Sequence, residues 1–330
     1  MNKAIITGGG GFVGKAIIKI LLRQGVECQV LGRSDYPELE ALGIQCFRGD
    51  IYDREFILQH LTNCNVVFHV AALAGIWGQW QEYYTINVQG TQNIIDGCLL
   101  NGIPALVHTS TPSVVFDRED IINGDETLPY ASQFLCGYAK SKAMAEKLAL
   151  SVDQEVLKTC AIRPHLIWGP GDPHLVPRLL ERGRKGTLKI VGDGTNKVDI
   201  TYIDNVAQAH FLAAQNLISS ASASGKAYFI GQERPVRMWQ WINDLFKRMD
   251  VPPVTGKVSL PAARTAGSLL ETTHRLMRRA GEPKMTRFLA EQLARSHYFS
   301  HDRAQQDFGY LPVVSIEEGM DKLIHWLKEK

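Results

Sequence analysis

Tyr138 and Lys142 stand four residues apart in the run Gly137-Tyr138-Ala139-Lys140-Ser141-Lys142, and of the ten tyrosines Tyr138 alone has a lysine at that spacing. On a helix, residues i and i+4 share a face, so a phenol and an ammonium placed this way can address one bound molecule. The chemistry on offer is proton transfer. A free phenol, with a pKa near 10, is a weak acid and base at neutral pH, and a fixed cation nearby favours phenolate and lowers it.

Such a pair needs an electron carrier. Lys3 to Thr7 reads as a buried strand, followed by Gly8-Gly9-Gly10-Gly11-Phe12-Val13-Gly14 and an apolar helical run from Ala16 to Leu22. Glycines between a first strand and a first helix permit a tight turn and close approach of a pyrophosphate to the helix N-terminus. Two registers are readable, Gly8-x-x-Gly11-x-x-Gly14 and Gly9-x-Gly11-x-x-Gly14, and both predict a bound dinucleotide. The second strand ends in Gly32-Arg33-Ser34 without an acid. Arg33 there suits the 2′-phosphate of NADP(H), while Asp35 two residues on could still serve NAD.

Ligands of a parallel α/β sheet sit at the carboxyl ends of its strands. Asp50 after the third strand could accept from an adenine amino group or cap a helix. Ala71 and Ala72 after the fourth would let backbone approach a nicotinamide ribose. Trp77 and Trp80 flank a loop able to cover an apolar ligand. After the fifth strand, Thr109-Ser110-Thr111-Pro112-Ser113 offers hydroxyls that could hold a carbonyl oxygen as charge builds on it. Thr111 is preferred, with Ser110 and Ser113 open, because one residue of register decides which side chain faces the ligand.

Apolar strand-like and amphipathic helix-like segments alternate through Arg163, the rhythm of a doubly wound parallel α/β (Rossmann) sheet covered on both faces. The chain of 330 residues is 45% hydrophobic, enough for one large domain with an elaborated second part. The expected division is a dinucleotide-binding domain over 1–170, to which about 196–232 return, and a smaller substrate-binding region over 171–195 and 233–330. Thirty-six Lys and Arg against 34 Asp and Glu leave +2, which argues for neither nucleic acid nor membrane as partner. Six scattered cysteines form no C-x-x-C pair, as in a reducing compartment. Met1-Asn2-Lys3 leads straight into the first strand and no long apolar run occurs, so no leader, no transmembrane segment and a cytoplasmic address are expected.

The glycine run, Ala71-Ala72, Ser110/Thr111, Tyr138 with Lys142, and Arg163-Pro164-His165-Leu166-Ile167-Trp168-Gly169-Pro170 together resemble the extended short-chain dehydrogenase/reductases, essentially end to end. Thr201-Tyr202-Ile203-Asp204-Asn205-Val206-Ala207 and a tail from Thr286 to Pro312 resemble the 3β-hydroxysteroid and sterol-4-carboxylate dehydrogenase branch. Thr109 to Val114 and Gly192 to Asp199 look like the 2-alkyl-3-oxoalkanoate reductases of bacterial long-chain olefin biosynthesis. That resemblance implies NADPH-dependent reduction of a hydrophobic β-keto acid, with Tyr138 as acid, Thr111 or Ser110 holding the oxygen, and Lys142 lowering the phenol and binding the ribose. It also implies that Gly8, Gly11, Phe12, Val13, Gly14, Arg33, Asp50, Ile51, Ala71, Ala72, Lys142 and Pro164 meet the cofactor. Thr111 departs from the serine of many members, and its methyl narrows the site. Olefin-pathway enzymes, a peripheral multienzyme assembly and a homodimer are the protein partners it suggests. The alternatives are a 3β-hydroxysteroid or sterol dehydrogenase, a nucleotide-sugar epimerase, and a non-enzymatic NADP sensor or scaffold, which would tend to lose Tyr138 or Lys142.

A β-keto acid calls for a cation to meet its carboxylate, and His165 is the expected one. His297 and His301, at i and i+4, lack the acid or cysteine partners of a metal site, so none is expected. From Lys257 to Arg287, seven Lys/Arg face only Glu271 and Glu282. Ala266, Leu269, Leu270, Thr273, Leu276 and Met277 follow helical spacing and are expected to form the apolar face of a basic helix. It could cover an acyl chain, dock partner enzymes, lie on a membrane surface, or simply face the core.

Overall fold

The computed structural model describes residues 1–277, 279 and 281–329. Seven parallel strands form the main sheet in the order Lys226–Ile230, Lys158–Pro164, Ala105–Thr109, Val66–His69, Lys3–Thr7, Glu27–Gly32, Gln45–Arg48. Most of their side chains are buried, which explains why they read as continuous apolar runs. The chain winds outward from the first strand to the third, then restarts on the other side at the fourth. The crevice between the carboxyl ends of Lys3–Thr7 and Val66–His69 is the switch point where such sheets bind ligands.

Helices Phe12–Arg23 and Ile203–Leu217 pack on one face of the sheet and Gly90–Leu100 and Gly137–Leu150 on the other. A second apolar core gathers Trp168, Leu180, Trp239, Trp241, Phe246 and Leu323 beside the sheet. It is built from helices Leu175–Arg184, Met238–Arg248 and Ile316–Lys328 with short strands between them. Within the Ser219–Gly225 run Ala223 is fully buried, and the Asn216 side chain donates to Ser220 and Ser222 and accepts from the Ala223 amide.

The helix Leu260–Leu276 forms, but it turns the opposite face inward from the one its apolar spacing predicts. Ala263, Gly267 and Glu271 are buried, while Leu269, Leu276 and Met277 are 63%, 80% and 61% exposed. The cause is close packing on the segment that follows. A Cβ on Gly267 would come within 2.7 Å of the Thr286 backbone, and the Glu271 carboxylate accepts from both the amide and the side chain of Arg287. A small residue and a paired acid thus outcompete leucine for the interface.

Candidate functional site

One cleft of about 650 Å³ at the switch point brings together Gly8, Gly11, Phe12, Val13, Arg33, Asp50, Ile51, Ala71, Ala72, Ser110, Thr111, Tyr138, Lys142, Pro164 and His165. Gly14 lies just behind it and Trp77 outside it. Glycine is required at the turn. Gly8 has φ +70°, and a Cβ there would reach the Ala71 backbone at 2.9 Å; a Cβ on Gly14 would collide with the carbonyl of Gly8. The helix Phe12–Arg23 begins at Gly11 with no side-chain cap and no acid in its first turn. Its leading N–H groups are left to an anion from elsewhere, so backbone and helix end fit a dinucleotide pyrophosphate.

At the adenosine end, Asp35 is engaged by Arg48 at 3.1 Å, whereas Arg33 is exposed on the cleft rim and makes no ion pair among the described residues. Tyr36 lies against the loop, where a Cβ on Gly10 or Gly32 would strike its ring. Asp50 does not cap the next helix: Asp53 does, accepting from the Phe56 amide at 3.1 Å, and Asp50 stays on the cleft wall.

Tyr138 and Lys142 lie on the helix Gly137–Leu150 with the side chains turned to the cleft. Burial pushes the Tyr138 phenol up to about 12, with the Thr111 hydroxyl pulling the other way. Burial brings the Lys142 ammonium down to about 8, opposed by the Glu146 carboxylate. The ammonium donates to the Thr109 carbonyl at 2.6 Å and lies 3.3 Å from His108 Nε2. The expected lowering of the phenol by Lys142 is therefore not what this arrangement produces: the cation is held on Thr109 and His108, and desolvation dominates the phenol.

Thr111 caps a short 3₁₀ turn, its hydroxyl accepting from the Ser113 amide and donating to the Ser113 hydroxyl at 3.3 Å. It is the hydroxyl beside the phenol. Ser110 instead faces Glu146, helping to hold that carboxyl down, yet its Oγ makes no hydrogen bond of ordinary geometry. Register thus separates the two. Glu146 and Arg163 form a two-pronged buried pair, Oε2 to Nε at 3.0 Å and Oε1 to Nη2 at 2.5 Å. Burial raises the Glu146 carboxyl, but the Arg163 charge and hydrogen bonds from Arg163, Ser110 and Tyr130 together bring it below its ordinary value.

Several supports escaped the sequence reading. Asn87 lies in a π-helical segment, Tyr84–Gln89, a form common at functional sites. It accepts from the Leu73 amide at 2.7 Å, donates to the Leu73 carbonyl, and reaches Ser141 at 2.9 Å, tying the loop after Ala71-Ala72 to the Tyr138 helix. His69 bridges Thr7 and Thr91, with its pKa brought down to about 3 by burial and the Lys142 charge. A wider helical turn carries no side-chain signature, and Asn87 and His69 become legible only once the strands are side by side.

His165 is not a cation here. Its Nε2 lies 2.6 Å from His297 Nδ1, and burial, then His297, holds its pKa well below the ordinary value. His297 Nε2 meets the Gln292 carbonyl at 3.0 Å and so carries the proton, leaving Nδ1 to accept from His165. His297 lies in a short strand and His301 faces Asp199 at 3.4 Å, so the two imidazoles are used in separate pairs. No metal-holding group of three or more His, Cys, Asp or Glu occurs among the described residues. The cations lie next door, in a vestibule of about 1290 Å³ that meets the cleft at Ile76. It holds Arg118, Lys140, Arg275 and Arg279, with the Arg275 guanidinium 5.4 Å above the Trp77 ring and Lys140 4.4 Å above Trp80. Arg278 lies outside the described residues.

A doubly wound sheet with a dinucleotide cleft and a tyrosine-lysine pair beside it defines a nicotinamide-dependent oxidoreductase of the short-chain dehydrogenase/reductase type, acting on hydroxyl or keto groups. The chain belongs to the 3-beta hydroxysteroid dehydrogenase/isomerase family, whose model matches residues 5–261. It is 49% identical over 331 residues to the 2-alkyl-3-oxoalkanoate reductase of Shewanella oneidensis, covering 98% of this chain and 86% of that one. With the 2-alkyl-3-oxoalkanoate reductase of Stenotrophomonas maltophilia it shares 46% over 323 residues, covering 97% and 98%. The decarboxylating sterol-4-alpha-carboxylate 3-dehydrogenase of Mus musculus is 31% identical, covering 100% and 93%. Among solved structures, MoeE5 in complex with UDP-glucose and NAD superposes with a TM-score of 0.75 at 24% identity, covering 99% of each chain, a likeness of fold. Among the described residues no helix is long and apolar enough to cross a membrane.

Proposed function

We propose that the protein reduces 2-alkyl-3-oxoalkanoic acids to the 3-hydroxy acids with NADPH, as a step of long-chain olefin biosynthesis among partner enzymes of that pathway. The observation that carries the reading is the Tyr138 phenol beside the Thr111 hydroxyl in a cleft whose glycine turn fits a dinucleotide, in a chain nearly half identical to two reductases so named. NADPH, when bound, supplies the hydride. Arg33, with no ion pair among the described residues while Asp35 is occupied by Arg48, supports the 2′-phosphorylated cofactor.

Tyr138 gives its proton to the oxygen of the 3-oxo group, and Thr111 holds that oxygen as charge develops. A phenol pushed up to about 12 stays protonated at neutral pH, the state in which reduction needs it. Lys142 is pinned by Thr109 and His108 where it adds positive charge to the same end of the cleft. Arg275, braced on Trp77 in the vestibule, takes the carboxylate role first given to His165.

The test runs in the oxidative direction, because β-keto acids lose CO₂ spontaneously. The purified protein is given NADP⁺ with either a 2-alkyl-3-hydroxyalkanoic acid or a 3β-hydroxysterol, and NADPH is followed. Turnover of the hydroxy acid is expected; turnover of the sterol alone would overturn the reading.

A further inference from the structure

Behind the cleft lies a second cavity of about 290 Å³, and four residues, Leu166, His174, Leu175 and Gln292, line both spaces. We propose that this cavity is the binding site for one alkyl chain of the substrate, an inference that rests on the proposed β-keto acid reaction.

The lining decides the ligand class. Leu179, Met238, Trp241, Leu289 and Leu293, from helices Leu175–Arg184, Met238–Arg248 and Arg287–Ala294, form the deep wall with Ile200, which precedes the short strand Thr201–Tyr202. The two cations among the lining residues are already committed: Arg178 to the Glu282 carboxylate at 2.6 Å and Arg182 to the Lys284 carbonyl. The imidazole of His297 is likewise spent between His165 and the Gln292 carbonyl. Beyond His174 and Gln292 at the shared mouth, the Trp241 indole N–H is a lone unpartnered donor in this wall among the described residues, so a phosphate or sugar entering here would leave most of its polar groups unpaired, at a cost that a hydrocarbon does not incur. The volume lies at the lower edge of the range for small-molecule pockets, which suits a slender chain.

The junction is built with strain. Leu166 has φ +40°, a left-handed conformation rare for a bulky residue, and it follows His165 directly at the shared wall. That backbone puts Leu166 on the boundary between the two spaces, where it would touch the first carbons of a chain passing from the reacting carbon to the deep wall. Strain of this kind persists where surrounding structure enforces it and collects at ligand sites.

The test is a chain-length series of 2-alkyl-3-hydroxyalkanoic acids, one alkyl branch kept as methyl and the other lengthened, oxidised with NADP⁺. Each methylene entering the cavity is expected to raise kcat/KM about fourfold until the deep wall is reached, after which the gain stops. Leu179→Trp and, separately, Met238→Trp fill the cavity. Each is expected to bring the plateau to a shorter chain and to cost the longest substrate at least tenfold more than the shortest. NADPH affinity measured on both variants checks that they are folded. Profiles of both folded variants that superimpose on the wild-type profile would overturn the alkyl site and leave the reductase reading intact. Failure of the wild type to oxidise any acid of the series would remove that reading, and the alkyl site with it.

Discussion

The Lys142 ammonium sits 2.6 Å from the carbonyl oxygen of Thr109, the last residue of the strand that delivers Thr111 to the cleft. Helix and strand are thereby locked at the point where phenol and hydroxyl meet. The position is costly for a charge, since Lys142 is only 3% exposed.

That cost has a pH signature. The Lys142 pKa is 10.5 in its ordinary state and about 8 in the fold, a disfavouring of the charge by about 3 kcal/mol. Between those values the unfolded chain binds more protons than the folded one, so stability contributed at this position rises with pH. The wild type is expected to gain stability relative to Lys142→Met between pH 8 and 10.5, by up to about 3 kcal/mol. Denaturant melts of both proteins across that range measure it, and parallel curves would show that the lysine is not desolvated.

In the proposed reaction Arg33 is the residue that sets the preference for NADPH. Arg33→Ala is expected to weaken NADPH binding about tenfold or more, with NADH little affected, because one charge-assisted contact to a phosphate is lost. Fluorescence titration with both cofactors reads the ratio. An unchanged ratio would mean that the 2′-phosphate is met elsewhere.

Asn87 is expected to matter twice. Asn87→Ala leaves the Leu73 amide and carbonyl without their partner, costing about 2 kcal/mol or more. It also frees the loop after Ala72 from the Tyr138 helix, so kcat should fall even at temperatures where the variant is fully folded. Denaturant melts with steady-state rates on the same preparation separate the two effects; an unchanged kcat would limit Asn87 to holding the fold.

What the chain disclosed before folding follows from the range of the interactions. Gly8 to Gly14 and the spacing of Tyr138 and Lys142 are local patterns, and a strand of Val, Ile and Leu announces burial by itself. His165 and His297 are 132 residues apart, so nothing near either could reveal that His297 removes His165 as a candidate cation. Ser110 and Thr111 were separable only by register. The helix Leu260–Leu276 was read by its leucines, whereas Gly267 and Glu271 decide its orientation, through a close approach and an ion pair made by residues that follow it.

If Tyr138 supplies the proton in the proposed β-keto acid reduction, replacing it with phenylalanine removes the proton donor and leaves the cofactor site in place. Oxidation of a 2-alkyl-3-hydroxyalkanoic acid by wild type and Tyr138→Phe should be compared at saturating NADP⁺, with NADPH affinity measured alongside. Unchanged NADPH affinity and a kcat lower by about 10² or more are expected for Tyr138→Phe. Near wild-type turnover by Tyr138→Phe would contradict that role for Tyr138.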